Sequence, residues 1–573
     1  MKRSGLNQFF TLALFGIWAT VLLAACPAQA FFLPMLVKDI NPGYTGSFPF
    51  QLTEMNGTLF FVASDGVSGS ELWKSNGTYL GTTMVKDITP GPESTDINGL
   101  KNVNGTLFFV IQKATTGAEE YEYELWKSNG TEAGTVKVAG PFPSFGSLHN
   151  MFAIGPLLQN VNGTVYFFAS DSQGHGLWKS NGTAGGTVKV KNNLWVWQLG
   201  LNKGGILYFS AADTSTGNLF AAGLWRTDGT DAGTYEVKPI FPSFNALGYM
   251  TIKDDYLFLG ANDNVYGPEL WRSDGTANGT TLVQDILVGA QGSGPERLTK
   301  VGDILFFSAD NGVSGKELWA YQQQMFPKQQ PYHASMVKDI RAGSQSSYPQ
   351  ELTELNGLLF FTAQTSDDNR ELYVSDGTEA GTKLVKDIQP YSVDYMGYHP
   401  EYLTGVNDRL FFAADDGVFG RELWMSDGTA EGTNRVTDIY PNQGSSWPGD
   451  LTKVNGTLFF AAQNGDFGRE LWKLVEINKP DPRQWILANL FEDQFKKGGI
   501  GLKNAMLSIM GEVNLLMAQG NISAAIQKLQ NVRRHVDGYE TGFKQNDWVV
   551  EETAQNNVRN MIDGLITDLN RIR

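Results

Sequence analysis

Carboxylates and loop aromatics are the side chains in this sequence whose types and spacing could do chemistry, because the other usual reactants are missing or scattered. Five histidines, at 149, 175, 333, 399 and 535, never take the spacing that sets a zinc pair on one helix or strand. There is no Gly-x-Ser-x-Gly elbow and no phosphate-cradling Gly-rich loop leading into Lys-Ser/Thr, and the single cysteine, Cys26, lies in the N-terminal segment. Among the carboxylates, Asp39, Asp87, Asp285, Asp339, Asp387 and Asp438 recur in one phrase, Val-Lys-Asp-Ile or a close variant. A residue that returns in every copy of a repeat builds the scaffold, whereas catalysis needs a cluster that breaks the repeat. These aspartates are therefore read as structural, partnering the nearby Lys and the Glu of the preceding strand. Paired hydrolytic carboxylates could still stand among them, since spacing along the chain does not say which groups face each other. The loops Asp310-Asn311-Gly312 and Asp415-Asp416-Gly417 could offer oxygen ligands to calcium from Asp310, Asp415 and Asp416. Turn geometry explains the same residues, and the full Asp-x-Asp-x-Asp-Gly loop is absent, so no cofactor is expected, with calcium as the alternative.

The binding candidates are rings. In four loops an aromatic or histidine precedes proline at the matching place: Phe48-Pro49, Tyr348-Pro349, His399-Pro400 and Trp447-Pro448. Such rings could line a shallow pocket that stacks on sugars or grips a protein loop. The competing reading is that each ring packs beneath its own loop while the proline stiffens the turn.

These residues are positioned by a repeat. The phrase Glu71-Leu72-Trp73-Lys74-Ser75-Asn76-Gly77-Thr78, then Gly81-Thr82 and Val85-Lys86-Asp87-Ile88, returns nine times, its aromatic falling at Trp73, Trp126, Trp178, Trp225, Trp271, Trp319, Tyr373, Trp424 and Trp472. A spacing of roughly 46 to 54 residues marks a repeated supersecondary unit. Within one unit Asn56-Gly57 predicts a tight hairpin joining strands A and B, and the Asp65-Gly66 and Asn76-Gly77 turns set off strands C and D. Four short strands per unit describe a propeller blade. Met35-Leu36-Val37-Lys38-Asp39-Ile40 is a D-type strand with no A, B or C before it, while the last unit ends at Glu470-Leu471-Trp472-Lys473-Leu474 without a D. Pairing the two closes a ring and removes the exposed edges. The third and fourth units carry Gly176 and Gly223 in place of the Glu, and the sixth has an insertion from Tyr321 to His333. The expected fold is mainly β: a propeller of eight or nine four-stranded blades closed by exchange of N- and C-terminal strands, followed by a C-terminal α-helical bundle.

Composition agrees with that class. Glycine (65 residues) and aromatics (12%) are plentiful and charged residues make up only 18%. A formal charge of -16 leaves no basic field for phosphate, which excludes nucleic acid as a partner. Met1-Lys2-Arg3, the apolar run Phe9 to Ala25 and Ala28-Gln29-Ala30 have the pattern of a signal peptide over residues 1–30, with the retained membrane anchor as the other reading of the same run. No other segment could cross a bilayer. Leu23-Ala24-Ala25-Cys26 resembles a lipobox, which makes a lipid anchor on Cys26 the alternative to a soluble secreted product.

The phrase Glu422-Leu423-Trp424-Met425-Ser426-Asp427-Gly428-Thr429-Ala430-Glu431-Gly432-Thr433 resembles the ELWxxDGT repeat family of exported bacterial proteins, over residues 35 to 475. The resemblance implies a bacterial surface or secreted origin and a propeller-like array for residues 31–476, and leaves the chemistry open. Residues 477–483, with Pro480 and Pro482, read as a linker. In 484–573, apolar residues recur at helical spacing in three stretches, Met506 to Met517, Ile522 to Val536 and from Trp548 to Leu569, with Trp485 to Phe495 as a short leading helix. The segment Gln519 to Leu529 resembles FIMAH and FIVAR-type helical modules, which implies an accessory attachment or spacer role. The leading expectation is an exported, non-catalytic binding or adhesion protein whose loop face engages an extracellular glycan or protein. The alternatives are an exported carbohydrate- or peptide-active hydrolase or lyase using carboxylates near the central tunnel, and a structural envelope component.

Overall fold

An Asn-Gly pair suits a hairpin only if both residues accept positive φ, and in the computed structural model Asn56 and Gly57 take 52° and 77°. They join strand A (Phe50–Met55) to strand B (Thr58–Ser64), which is followed by strand C (Ser70–Ser75) and strand D (Thr83–Lys86) in one antiparallel sheet. The structure describes residues 31–115, 121–145, 157–217, 222–240, 250–322, 333–366, 369–388, 399–440, 444–465 and 467–477, and beyond them 509, 512, 513, 516, 522–534, 562 and 566. Nine such four-stranded sheets follow one another, their A strands starting at Phe50, Asp96, Gln159, Leu194, Thr251, Glu296, Gln350, Glu401 and Gly449. The chain is a nine-bladed β-propeller, and the blades are numbered here in that order.

Strand B explains why the blades stack. In blade 1 its five central residues, Leu59 to Ala63, are all buried, so both faces of the sheet are covered and the sequence reads as a continuous apolar run. Phe60, Val62, Leu72 and Val85 of blade 1 form one core with Leu107, Phe109 and Ile111 of blade 2. Each fully buried Phe or Leu contributes about 1.5–3 kcal/mol. Strand A of one blade lies against strand A of the next, which places the A strands innermost. The turn after strand C accounts for the rest of the motif. Ser75 Oγ and Thr82 Oγ1 are 2.7 Å apart, the Gly77 amide donates to Ser75 Oγ (2.9 Å), and the Thr78 amide donates to Asn76 Oδ1 (3.0 Å).

The ninth sheet combines Gly449–Val454, Thr457–Asn464 and Gly468–Ile477 with the N-terminal strand Phe31–Lys38, which occupies its D position. The exchange expected from the unmatched strand is what closes the ring. Val37 and Ile40 pack in one core with Leu59, Phe61 and Trp73 of blade 1 and Leu471 of blade 9. Blade 9 is also tied forward: Lys473 donates to the Gly77 carbonyl (2.8 Å) and Lys38 to the Thr82 carbonyl (2.9 Å).

Residues 36–473 form one compact unit and the remainder a second. The expected C-terminal α-helical bundle is overturned: among the described residues the chain contains one α-helix, α1 (Ile522–Arg534). Its buried Ala525, Ile526, Leu529 and Val532 form a single apolar stripe. Helical periodicity identifies such a stripe without supplying partner helices, which is why the extrapolation to a bundle failed. The leading helix at 485–495, the linker 478–483 and the N-terminal 30 residues with Cys26 lie outside the described residues, as do most of the other two helical stretches. No described helix is long and apolar enough to cross a membrane.

A carboxylate at Val37, which is 5% exposed, is expected to cost about 3 kcal/mol or more by putting an unpaired charge into the closing core. Val37→Asp should lower the thermal midpoint of the propeller and produce oligomers through the freed edge, read by differential scanning calorimetry and size-exclusion chromatography. Val136→Asp, at the 37% exposed start of the blade 2 D strand, should change neither.

Candidate functional site

A β-bulge near the start of strand A creates the site. Where two residues of strand A oppose one of strand B, the bulged residue is turned out of the ladder. Register shifts occur there in blades 6, 7, 8, 9 and 1. The bulged residues are Arg297, Glu351, Tyr402, Asp450 and Gln51, all at left-handed φ between 54° and 61°. Blade 2 places Gly99 there at 66°, and Leu157 and Leu199 hold the corresponding places in blades 3 and 4. One structural position thus carries a polar side chain in five consecutive blades and an apolar or absent one in the next three. Each left-handed non-Gly residue costs about 1–2 kcal/mol, and such strain clusters where side chains have work to do.

Between blades 7 and 9 these residues line a cavity of about 390 Å3, whose wall is Glu351, Tyr402, Leu403, Thr404, Asp450, Leu451 and Thr452. Both carboxylates also reach across a blade junction. The Leu403 amide donates to Glu351 Oε2 (3.3 Å) and the Gln51 amide to Asp450 Oδ1 (3.2 Å). Gln51 continues the pattern, donating to the Ile97 carbonyl (3.0 Å) and accepting from the Leu100 amide (3.1 Å). Burial raises the Asp450 carboxyl above the ordinary range, opposed by Arg469 and by the Gln51 amide. Burial lowers Arg469, opposed by Asp450 and Tyr402. Burial and then the charge of Arg297 lower Arg370 to about 10, with Glu351 acting against them.

The rings expected from the sequence stand at this rim. Phe48, Tyr348 and Trp447 are 58%, 47% and 43% exposed and do not pack beneath their loops. Their backbone takes left-handed φ of 48°, 45° and 49°, a conformation that blade 6 meets at the same place with Gly294, at 55°. Their peptide groups are held by neighbouring strands, those of Tyr348 and Trp447 from both sides. The Phe48, Tyr348 and Trp447 amides donate to the carbonyls of Arg469, Lys316 and Arg421 in strand C of the preceding blade (3.0, 3.2 and 3.3 Å). The Tyr348 and Trp447 carbonyls accept from the guanidinium groups of Arg370 and Arg469 in strand C of their own blade. His399 differs: its carbonyl accepts from Arg421 (3.1 Å), but its Nε2 lies 3.2 Å from Glu401 Oε1 and its side chain is only 28% exposed. The Glu401 carboxyl is lowered by the His399 hydrogen bond first and the Arg421 charge second, against its burial.

The remaining carboxylates do structural work. Glu422, in strand C of blade 8, accepts from the Ile439 amide (3.0 Å), the Tyr440 amide (3.4 Å), the Ser446 amide (3.0 Å) and Ser446 Oγ (2.7 Å). Glu470, Glu317 and Glu269 hold Ser47, Ser347 and Ser293 in the same way, so each staple sits one residue before the rim position. The recurring aspartates lie beside these glutamates and oppose their charge, as Asp87 does to Glu71 and Asp39 to Glu470. The Lys of the same phrase is not their partner: Lys86, Lys338 and Lys386 donate to the Thr135, Thr382 and Thr433 carbonyls of the next blade. Asp310 Oδ1 accepts from the Gly312 amide and Asp415 Oδ1 from the Gly417 amide (2.7 Å each), while Asp416 Oδ1 accepts from the Val418 and Phe419 amides (2.9 Å each). Those three carboxylates cap their own turns, and among the described residues no group of three His, Cys, Asp or Glu side chains converges as a metal centre.

The bulged residues and the strand C arginines escaped the sequence reading. Their signal was available: in Pro49-Phe50-Gln51-Leu52-Thr53, Pro295-Glu296-Arg297-Leu298-Thr299, Pro349-Gln350-Glu351-Leu352-Thr353, Pro400-Glu401-Tyr402-Leu403-Thr404 and Pro448-Gly449-Asp450-Leu451-Thr452, the second residue after proline varies inside a fixed frame.

No family model and no curated protein matches this chain. Among solved structures, a puromycin-hydrolyzing peptidase of Mycobacterium tuberculosis is similar at 13% identity and TM-score 0.35, over 64% of this chain and 57% of that one. A puromycin hydrolase is similar at 12% and 0.36, over 74% and 60%. An ancestral GH74 enzyme is similar at 10% and 0.32, over 73% and 71%. The chain spans less than two thirds of the first two of these, and likeness at this level brings no activity to it.

Burial pushes Glu422 up to about 8 and Glu470 to about 7, against an ordinary 4.5 in the unfolded chain. Their contribution to stability is therefore fully present below pH 4.5 and is lost as pH rises through about 7 to 8. The thermal midpoint should fall between pH 5 and about pH 8.5, measured by calorimetry. Glu422→Gln should flatten that slope and also lower stability by about 1–3 kcal/mol, because the amide cannot accept from all four donors.

Proposed function

We propose that the cleft formed by blades 7, 8, 9 and 1 binds and hydrolyses a carbohydrate chain, with Asp450 and Glu351 as its two working carboxylates. The observation that carries this reading is that both lie at a position where the repeat is broken, lining one cavity beside exposed rings. Glycoside hydrolysis needs one carboxyl that keeps its proton for the leaving oxygen and one that stays ionised. Asp450 suits the first role, since burial favours its protonated form. Glu351 takes the second: its carboxylate draws the proton from an attacking water as the bond to the leaving oxygen breaks and Asp450 gives up its own. Tyr402 and Trp447 supply aromatic surface for a sugar face.

The second reading is a binding or adhesion protein with the same cleft and no turnover. It is favoured by the amide hydrogen bonds that both carboxylates already accept across blade junctions, a scaffold role that needs no substrate. Both readings place the protein outside the cytoplasm, secreted or lipid-anchored through Cys26, on the strength of the N-terminal segment and the resemblance to exported repeat proteins.

Reducing-end release from a panel of bacterial and plant polysaccharides separates the readings. Hydrolysis by the wild type should fall by about 100-fold or more in Asp450→Asn and Glu351→Gln, with binding retained in both. Binding without turnover by the wild type would leave the adhesion reading standing and remove the hydrolase.

A further inference from the structure

We infer that the rim of blades 7, 8, 9 and 1 is a run of subsites for an extended, uncharged polysaccharide rather than a pocket for a single sugar. The inference rests on the proposed carbohydrate cleft and goes on to name the length and charge of what lies in it.

The rings belong to consecutive blades, three of them at the equivalent place before proline and the fourth, in blade 8 where His399 holds that place, at the bulge. Tyr348 enters blade 7, Tyr402 is the bulged residue of blade 8, Trp447 enters blade 9 and Phe48 enters blade 1. All four are 43% to 58% exposed at left-handed φ. Among the described residues the next blades do not continue the row: Asp96 holds the ring position in blade 2, and Gly294 holds it in blade 6. The arc thus has two ends, and the cavity of Glu351 and Asp450 spans blades 7 to 9, with Phe48 beyond it on blade 1. Peptide groups clamped on both sides keep Tyr348 and Trp447 in place before anything binds, so little ordering opposes a ligand. One ring per blade suits a chain that offers one sugar face after another. A compact ligand would use one ring and leave the others in water.

Charge selects among such chains. The protein carries a formal charge of -16, and the lining residues of the cavity include the Glu351 carboxylate and no cation. A polyanion is repelled by that field, whereas a neutral chain is indifferent to it. The occupant is therefore a neutral polysaccharide, and cleavage at the cavity falls within the chain rather than at its end.

The test titrates Asp450→Asn protein, which binds without turnover, by calorimetry with cello-, xylo- and chito-oligosaccharides of about two to six units, and with oligogalacturonates as the anionic ladder. For at least one neutral ladder the affinity should rise about tenfold or more from dimer to hexamer. Trp447→Ala and Tyr348→Ala should abolish that rise, Trp447→Phe should keep it, and Tyr79→Ala, in the turn between strands C and D of blade 1, should not alter it. Thermal melting of each variant separates loss of binding from loss of fold. Equal affinities for dimer and hexamer, or preference for the anionic ladder, would overturn the inference while leaving the hydrolytic reading in place. Absence of binding by every ladder would remove both.

Discussion

Everything that faces solvent on this loop surface hangs from a buried carboxylate. Among the described residues no cation pairs with the strand C glutamate in blades 1, 5, 6, 8 and 9; amides and a hydroxyl from the following loop hold it instead. A carboxyl group taken out of water is tolerable only with such hydrogen-bond partners, so the loop must fold back over it for the blade to be stable. That requirement fixes the Ser or Thr that supplies the hydroxyl, and the rim residue comes next in the chain. In blade 9 the same device joins the two ends of the propeller. Glu470, from the last repeat, accepts from the Ile40, Asn41 and Ser47 amides of the N-terminal segment, so closure of the ring and placement of Phe48 are one event.

Where the glutamate is missing or diverted, the loops become something else. Glu124 of blade 2 pairs with Lys113 and Lys137 at 2.8 and 2.6 Å, and blades 3 and 4 have Gly176 and Gly223 instead. Phe145, in the loop leaving blade 2, is fully buried and stacks on Phe167 with ring centroids 4.8 Å apart. Strand A of blade 4 extends over Leu194–Lys203 and carries Trp195 and Trp197 into an aromatic cluster with His175. Phe145 and Trp197 of this half fill space, whereas Phe48, Tyr348 and Trp447 of the stapled half stand in solvent. The asymmetry follows from one residue type in one strand.

This division explains what the sequence could disclose. Turn residues, strand B apolar runs and the unmatched terminal strand are local signals with one geometric solution each, so the blades, the four strands of each and the closure were legible, while the count stayed at eight or nine. The staple was only half visible. The recurrence of Glu71 and its equivalents was plain, but its partner lies 24 residues ahead in blades 1, 5 and 8, and Asp-Lys pairing was the nearer guess. The helical stripe of α1 was legible and a bundle around it was not, because periodicity specifies a face and not what covers it. The bulged row from Arg297 to Gln51 went unread for a different reason: a side chain turned out of a strand ladder leaves no periodic trace, and only its change of identity inside a fixed frame distinguishes it.

The strength of the case for a working surface lies in the conformation that those five residues share. Glycine would occupy a left-handed bulge without strain, as Gly99 does in blade 2, and Gly294 shows that the rim position can do the same. A scaffold that needed only the bend would be at least as stable with glycine throughout. In blades 6 to 9 and 1 the bend is instead held with Arg, Glu, Tyr, Asp and Gln, each different, each on an innermost strand and three of them reaching across to a neighbouring blade. Cross-blade hydrogen bonding accounts for a polar group at such a place but not for the change of chemistry from one blade to the next, since Gln alone would serve every junction. Variation of side chain at constant strain is what a recognition surface requires of a repeat: the backbone is copied so that the chemistry can differ.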